Sequence, residues 1–259
     1  MSEDSKAATG SGESQPAGVV KPPVAKTLPK RFYKDVAVEE EDGRAAIKLD
    51  GKSVRTPGKA PLSVPNKKLA EAIAEEWRAQ GDHIDPRTMP LTKLANSAID
   101  GIEGQTEAVV DDIVKHAGTD LLCYRASEPK GLVAEQAKHW DPVIAWAKDA
   151  LNAPLTLAGG IVHAPQADAS LAEIKKRFGE FDAFSLAALH FMTSLTGSAL
   201  LALAVALKRL TPDEAWAAAH VDEDWQASKW GEDAEAKARR ETRRRDFDAA
   251  ARTLALVDA

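Results

Sequence analysis

The chain has 259 residues, enough for one large or two ordinary domains with a substantial core. Its net charge of −6 gives no electrostatic reason to expect a nucleic acid or an anionic membrane as partner. The single cysteine, Cys123, excludes an internal disulfide framework and suits a reducing compartment.

Residues 1–30 are rich in Ser, Gly, Lys, Ala and Pro, bury almost nothing, and read as a disordered tail. They hold no apolar signal core. Glu3, Asp4, Glu13 and the lack of Arg argue against a mitochondrial presequence, so a bacterial cytoplasmic protein is expected. From Arg31 to about Pro65 the pattern is strand and turn. Asp35–Val38 precedes a turn at Glu41-Asp42-Gly43; Ile47 and Leu49 alternate with Lys48, and Asp50-Gly51 signals a type I′ hairpin before Lys52–Arg55. This predicts a small antiparallel sheet with one buried face.

Helices follow. Asn66 can cap one that ends near Gln80, with Gly81 at the C′ position. Its apolar line, Leu69, Ile73 and Trp77, would cover the sheet and gives Trp77 a structural role. Further helices are predicted over Leu91–Ile99 and Thr106–His116, and Leu121–Tyr124 could rejoin the sheet as a strand. Beyond about Ser127 the pattern is helical. Leu132–Leu151 contains Pro142, which should kink or split it. Ser170 and Glu173 read as a capping box for a helix through Phe178, Asp182 caps the next helix, and Thr211-Pro212-Asp213-Glu214 starts another. A break is expected near Gly231. The predicted class is α+β: an α/β N-terminal domain with a small antiparallel sheet (31–125), packed on a C-terminal all-α orthogonal helical bundle (126–259).

Ala183–Leu207 is a 25-residue run without Asp, Glu, Lys or Arg, long enough to cross a bilayer. No second such run exists and no basic loop flanks it, so it reads as one buried hub helix, without membrane insertion. His190, Thr193, Ser194, Gly197 and Ser198 fall on one stripe that would let a neighbouring helix approach closely, which gives Gly197 a structural role.

The search for chemistry assembles no catalytic residues, metal site or cofactor site. Gly51-Lys52-Ser53 resembles the end of a phosphate-binding loop, but Ala46 stands where that pattern needs glycine, and the segment leads into a strand. The histidines at 83, 116, 139, 163, 190 and 220 are scattered singly. Cys123 reads as a small core hydrophobe, and Asp111-Asp112 as a solvated face. Lys237, Arg239, Arg240, Arg243, Arg244 and Arg245 are interrupted by Glu241, Asp246 and Asp248, a pattern of pairing along one helix rather than of nucleic-acid binding. Glu223, Gln226 and Trp230 lie at i, i+3, i+7, and Trp216 and His220 extend that line upstream. A carboxylate and an amide flanked by indoles suit an interface, whereas tryptophans tucked into the bundle would be structural. On physics alone both readings stay open.

The order of several longer segments adds a resemblance. RFYKDV (31–36), DGKSVRTPGKAPL (50–62), AIAEEWRAQGDHIDPRTMPLTKLANSAID (72–100), TDLLCYRA (119–126), WDPVIAW (140–146), SLAALHFMTSLTGSALLALAV (185–205) and DEDWQASKWG (222–231) occur in sequence. Together they resemble the assembly chaperones for the F-one catalytic head of ATP synthase, the family that binds the alpha subunit, over roughly residues 31 to 250. The resemblance implies a holdase-like monomer and no enzyme: a bacterial, cytoplasmic relative of proteins expected in the mitochondrial matrix of eukaryotes. It implies no cofactor and one partner, the ATP synthase alpha subunit. The family's acidic residue and its Gln-x-x-x-Trp-Gly motif fall on Glu223, Gln226, Trp230 and Gly231, the implied client-binding residues. After Gly231 the relatives often carry an acidic-aromatic-Ala-His-Asp pattern where this chain has Glu232-Asp233-Ala234-Glu235-Ala236. The alternative from the residues is a small-molecule enzyme or binding protein with its site between the two domains.

Overall fold

The computed structural model describes residues 28–160 and 162–258. The expected tail lies outside the described residues as far as position 27. Pro29 and Lys30 already belong to the fold: the Pro29 carbonyl accepts from the Ile84 N–H at 2.9 Å, and Lys30 bridges His83.

Strands β1 (Val36–Glu41), β2 (Arg44–Leu49), β3 (Lys52–Ser53) and β4 (Ser63–Val64) form an antiparallel sheet in which β2 pairs with the other three. Both tight turns use two residues with positive φ, Asp42 (51°) with Gly43 (76°) and Asp50 (48°) with Gly51 (74°), the twist that two-residue hairpins require. The single buried face expected for the sheet does not hold for β2. As the central strand it buries Ala45, Ile47 and Leu49 on one face and Ala46 and Lys48 on the other. Lys48 sinks its aliphatic stem and delivers the ammonium to Glu41 at 2.5 Å and Ser53 at 2.8 Å.

Helix α1 (Lys67–Arg78) is capped by Asn66, whose side chain accepts from the Leu69 N–H at 2.9 Å. Leu69 and Ile73 are buried in the same core as β2, and Trp77 packs edge-on against Tyr33, whose hydroxyl donates to the Trp77 carbonyl. The helix ends at Arg78, earlier than expected, and Gly81 is no left-handed cap. Gln80 does that work instead, its side-chain amide donating to the Glu76 carbonyl at 2.9 Å. Helix α2 (Pro90–Ser97) runs into a π-helical turn, Ala98–Ile102, and α3 (Thr106–Ala117) follows. Leu121–Cys123 do not rejoin the sheet. Asp120 accepts from the Leu122 N–H and winds them into a 3₁₀ turn; the strand β5 (Tyr124–Arg125) then pairs in parallel with β6 (Ala158–Gly159).

Helix α4 (Lys130–Leu151) passes through Pro142 unbroken. Pro142 and Lys138, whose carbonyl loses its helical donor, are both solvent-exposed, so water can satisfy that carbonyl. Helix α5 (Asp168–Phe178) begins before the predicted capping box. Ser170 is buried and its hydroxyl donates to the Pro154 carbonyl at 2.6 Å, so it is not available as a cap.

The uncharged run is two helices rather than one, α6 (Ala183–Thr196) and α7 (Ala199–Ala206). Asp182 caps α6, Gly197 ends it in a left-handed conformation (φ 70°), and Ser198 caps α7 through the Leu201 N–H. The polar stripe is therefore not a common packing face: Thr193 and Ser198 are buried, Ser194 is exposed, and Gly197 terminates the helix. Among the described residues no helix is long and apolar enough to cross a membrane. Helices α8 (Pro212–Ala219), α9 (Val221–Trp230) and α10 (Ala234–Val257) complete the chain. Thr211 and Glu214 cap α8 reciprocally, as their spacing predicts. Helix α10 buries Phe247, Ala250 and Leu254, and its last turn is tied to the start of α1 by the Asn66 amide donating to the Leu256 carbonyl at 2.9 Å. The fold is α+β, a small antiparallel sheet in the N-terminal region followed by a mostly helical part.

Asp120 is fully buried between these parts. Its carboxylate accepts from the Leu122 and Leu200 N–H groups, each at 3.1 Å, while the Leu121 N–H reaches the Gly197 carbonyl at 3.0 Å. Burial pushes the Asp120 carboxyl up to about 6. Its stabilising contribution is therefore full below its unfolded pKa of about 4 and is lost as pH rises through about 6. Asp120→Asn sets an amide N–H₂ against a backbone donor and is expected to lose about 1–3 kcal/mol in urea unfolding at pH 7. That deficit should grow by about 1 kcal/mol at pH 5, where the wild-type carboxyl is protonated; an equal deficit at both pH values would contradict the assignment.

Candidate functional site

The break between α8 and α9 sets the site. His220 leaves the helix with φ −118°, is buried, and its Nδ1 lies 2.8 Å from the Trp216 carbonyl. Its ring stacks on Trp216 with centroids 3.9 Å apart, and Trp216 in turn meets Phe247 of α10 at 5.3 Å. Burial lowers the His220 pKa, so the ring is neutral at neutral pH. Trp216 and His220 thus point into the bundle and do not extend the face of Glu223, contrary to the spacing.

Helix α9 is held against α4 by its other face. The Gln136 amide donates to Asp222 at 2.7 Å, and Trp225 lies on Gly131, where an added Cβ would come within 2.2 Å of the indole. Lys229 covers that ring from outside, its ammonium 4.7 Å from the centroid. With Asp222 and Trp225 turned inward, Glu223, Gln226 and Trp230 face outward, and the Trp230 side chain is 80% exposed. Gly231 ends α9 with φ 85° and turns the chain into α10, which Asp233 caps through the Ala236 N–H at 2.9 Å. Glu223, Gln226, Trp230 and Gly231 all line one groove of about 460 Å³ between α9 and α10. The facing wall carries Arg239, Arg240 and Arg243.

The arginines pair only partly along their own helix, as Arg239 does with Glu235 and Arg244 with Asp248; Arg240 and Arg243 reach across to neighbouring elements. Arg240 binds Asp224 of α9, Arg244 binds Asp213 of α8 as well as Asp248, and Arg243 donates to the Leu195 carbonyl in the last turn of α6. Asp246 pairs with Lys93 at 4.0 Å instead. Glu223 itself has only long contacts: His220 Nε2 at 3.9 Å and Arg243 at 4.0 Å.

Away from this groove, Trp77 lies in α1 beside the sheet and Gly197 at the end of α6. Asp111 and Asp112 are not merely solvated, since Asp111 reaches Lys175 at 2.5 Å and Asp112 reaches His190 at 3.0 Å. A groove of about 570 Å³ lies where α6 meets the π-helical turn, lined by Leu94, Ile102, Val109, Phe191 and His190. It would house the small molecule of the alternative reading. Burial pushes the Cys123 thiol up to about 12, which leaves no thiolate nucleophile. Among the described residues no three His, Cys, Asp or Glu side chains gather to hold a metal ion.

Three residues central to this architecture have no motif that singles them out. Asp120 is one. Glu76, beside Trp77, accepts from the Leu91 N–H, the Thr92 N–H and the Thr92 hydroxyl at 2.7–2.8 Å, capping α2; burial pushes its carboxyl up against the pull of those bonds. Gly131 leaves the space that seats α9. A glycine one residue before the predicted helix start at Leu132 is the only trace of that contact in the sequence.

The sequence pattern of the ATP12 chaperone protein family matches residues 30–148. A crystal structure of Atp12 from Paracoccus denitrificans is 42% identical and superposes with a TM-score of 0.83, covering 88% of this chain and 98% of that one. A crystal structure of a proposed chaperone from Agrobacterium tumefaciens is 49% identical, with a TM-score of 0.84 over 88% of this chain and 86% of that one. The mitochondrial protein atp12 of the fission yeast Schizosaccharomyces pombe is 24% identical over 214 residues, 78% of this chain and 74% of its own length.

Gly131→Ala is expected to lift Trp225 off α4 and lower stability by about 1–3 kcal/mol, whereas Trp230→Ala, at an exposed position, should change it by less than about 0.5 kcal/mol. Chemical denaturation of the two variants side by side checks this; comparable losses would mean that Trp230 is part of the fold.

Proposed function

This chain belongs to the ATP12 chaperone family, and from that premise we propose that it is an assembly chaperone for the F-one catalytic head of ATP synthase. In this reading it binds the unassembled alpha subunit, prevents its aggregation and hands it over to beta subunits. It works as a monomer in the bacterial cytoplasm, as its eukaryotic relatives would in the mitochondrial matrix, and it is not an enzyme and uses no cofactor.

The observation that carries the reading is the outward face of α9. An indole left four-fifths exposed contributes little to folding, yet it stands beside a carboxylate and an amide on a helix braced from behind by Trp225 and Asp222. Aromatic anchors of this kind bind with little loss of conformational freedom. A free alpha subunit must expose the apolar surface that it later buries against its neighbours, and such surface aggregates. A specific complex needs to cover only about 800 Å² on each partner. Release needs no nucleotide on the chaperone, because the finished assembly offers the alpha subunit a larger interface than the chaperone does.

Tagged alpha subunit should co-purify with this chain, and its aggregation, followed by light scattering, should be suppressed without nucleotide. No association at micromolar concentrations would sink the proposal. Glu223→Lys is expected to weaken binding by about tenfold or more while the melting temperature stays near that of the wild type; intact binding with a lowered melting temperature would assign Glu223 to the fold instead.

A further inference from the structure

The groove between α9 and α10 has an unbalanced set of partners. On the α10 wall two of the three cations already have anions, Arg239 with Glu235 at 2.5 Å and Arg240 with Asp224, while Arg243 donates to the Leu195 carbonyl. On the α9 wall the groups are left open. The Glu223 carboxylate accepts no hydrogen bond among the described residues; its neighbours at 3.9 and 4.0 Å are a histidine held neutral by burial and Arg243, which hydrogen-bonds the Leu195 carbonyl through its other terminal nitrogen. The exposed Gln226 amide has no protein partner among the described residues, and Trp230 presents its indole to solvent. An acidic occupant would meet the Glu223 carboxylate and find Arg239 and Arg240 already paired with anions. A basic one finds a carboxylate that accepts no hydrogen bond, an amide carbonyl and an exposed aromatic face.

We propose that this groove receives a lysine or arginine side chain of the client, its aliphatic stem on the Trp230 indole and its cation shared by Glu223 and Gln226. This inference rests on the chaperone reading and specifies the chemistry of its client. Glu223 and Trp230 are seven residues apart, about 10 Å along the axis, close to the reach of one extended basic side chain plus a hydrogen bond. The protein makes the same kind of contact one turn away, where its own Lys229 covers Trp225. A cation on an exposed indole face gains little by itself, so the carboxylate supplies most of the selection for charge.

The test uses the full chain, the intact alpha subunit and short overlapping peptides covering the alpha subunit. Glu223→Gln should bind the intact alpha subunit at least about fivefold more weakly than wild type, and added salt should weaken wild-type binding more than that of the variant. Wild-type protein should select peptides that carry Lys or Arg among apolar residues. Copies with acetyl-lysine and citrulline in those places should lose at least about tenfold in affinity. This second arm needs no variant, so it stands even if Glu223→Gln folds poorly. If wild-type protein binds no alpha subunit, the chaperone reading and this inference fall together. If it binds, but neutralised peptides bind as well as basic ones, or acidic peptides are preferred, only the inference is overturned.

Discussion

The helical hub depends on a carboxylate that no water reaches. Ending α6 at Gly197 and restarting the chain as α7 leaves the first N–H groups of α7 inside the apolar core, where an unmet donor costs about 1–3 kcal/mol. Ser198 meets one of them and Asp120 another, so a residue near 120 in the chain completes a helix near 200. The same carboxylate starts the 3₁₀ turn that carries the chain toward α4, and the adjoining Leu121 N–H closes on Gly197. The sheet-bearing segment and the bundle thereby share a hydrogen-bonded seam. Glu76 repeats the device on a smaller scale at α2, whose Met89 cap offers no side-chain acceptor.

From that seam outward the structure becomes progressively more exposed. Helix α10 lies over α6, the stacked Trp216, His220 and Phe247 rings join α8 to it, and the Arg243 bond to the Leu195 carbonyl fastens it to the end of α6. Helix α9 then has only one way to sit. Trp225 drops onto Gly131 and Asp222 onto Gln136, so the outward face of α9 is defined by what its inward face requires. A binding surface with an exposed indole would be a liability on a floppy segment, because it could fold back or associate with itself. Here the helices keep it extended and in register, so a partner of the proposed kind would meet side chains that are already in place.

Much of this was legible in local patterns. The two hairpins followed from Asp-Gly spacing, α1 from Asn66 and its apolar line, α8 from its capping box, and the break at Gly231 from the glycine itself. The readings that failed share a cause. Ser170 beside Glu173 looked like a cap, Pro142 like a point where the helix could split, Leu121–Tyr124 like a strand, and Ala183–Leu207 like a single helix. In each case a distant partner or solvent exposure decided the outcome: the Pro154 carbonyl, the exposure of Lys138, the Asp120 carboxylate, and the Leu121 N–H that meets the Gly197 carbonyl.

The candidate site divides in the same way. Its residue types and helical spacing are local, so Glu223, Gln226 and Trp230 could be placed on one face from the amino acids alone, and the order of motifs pointed to the family. That Trp216 and His220 turn away from this face, and that Arg240, Arg244 and Arg243 reach across to α9, α8 and α6, could be decided only in three dimensions. Periodicity reports which side chains share a helix face; burial and ion pairing depend on which other element arrives opposite that face. The sequence by itself determined what chemistry α9 carries, and tertiary packing decided which part of it was left free for a partner.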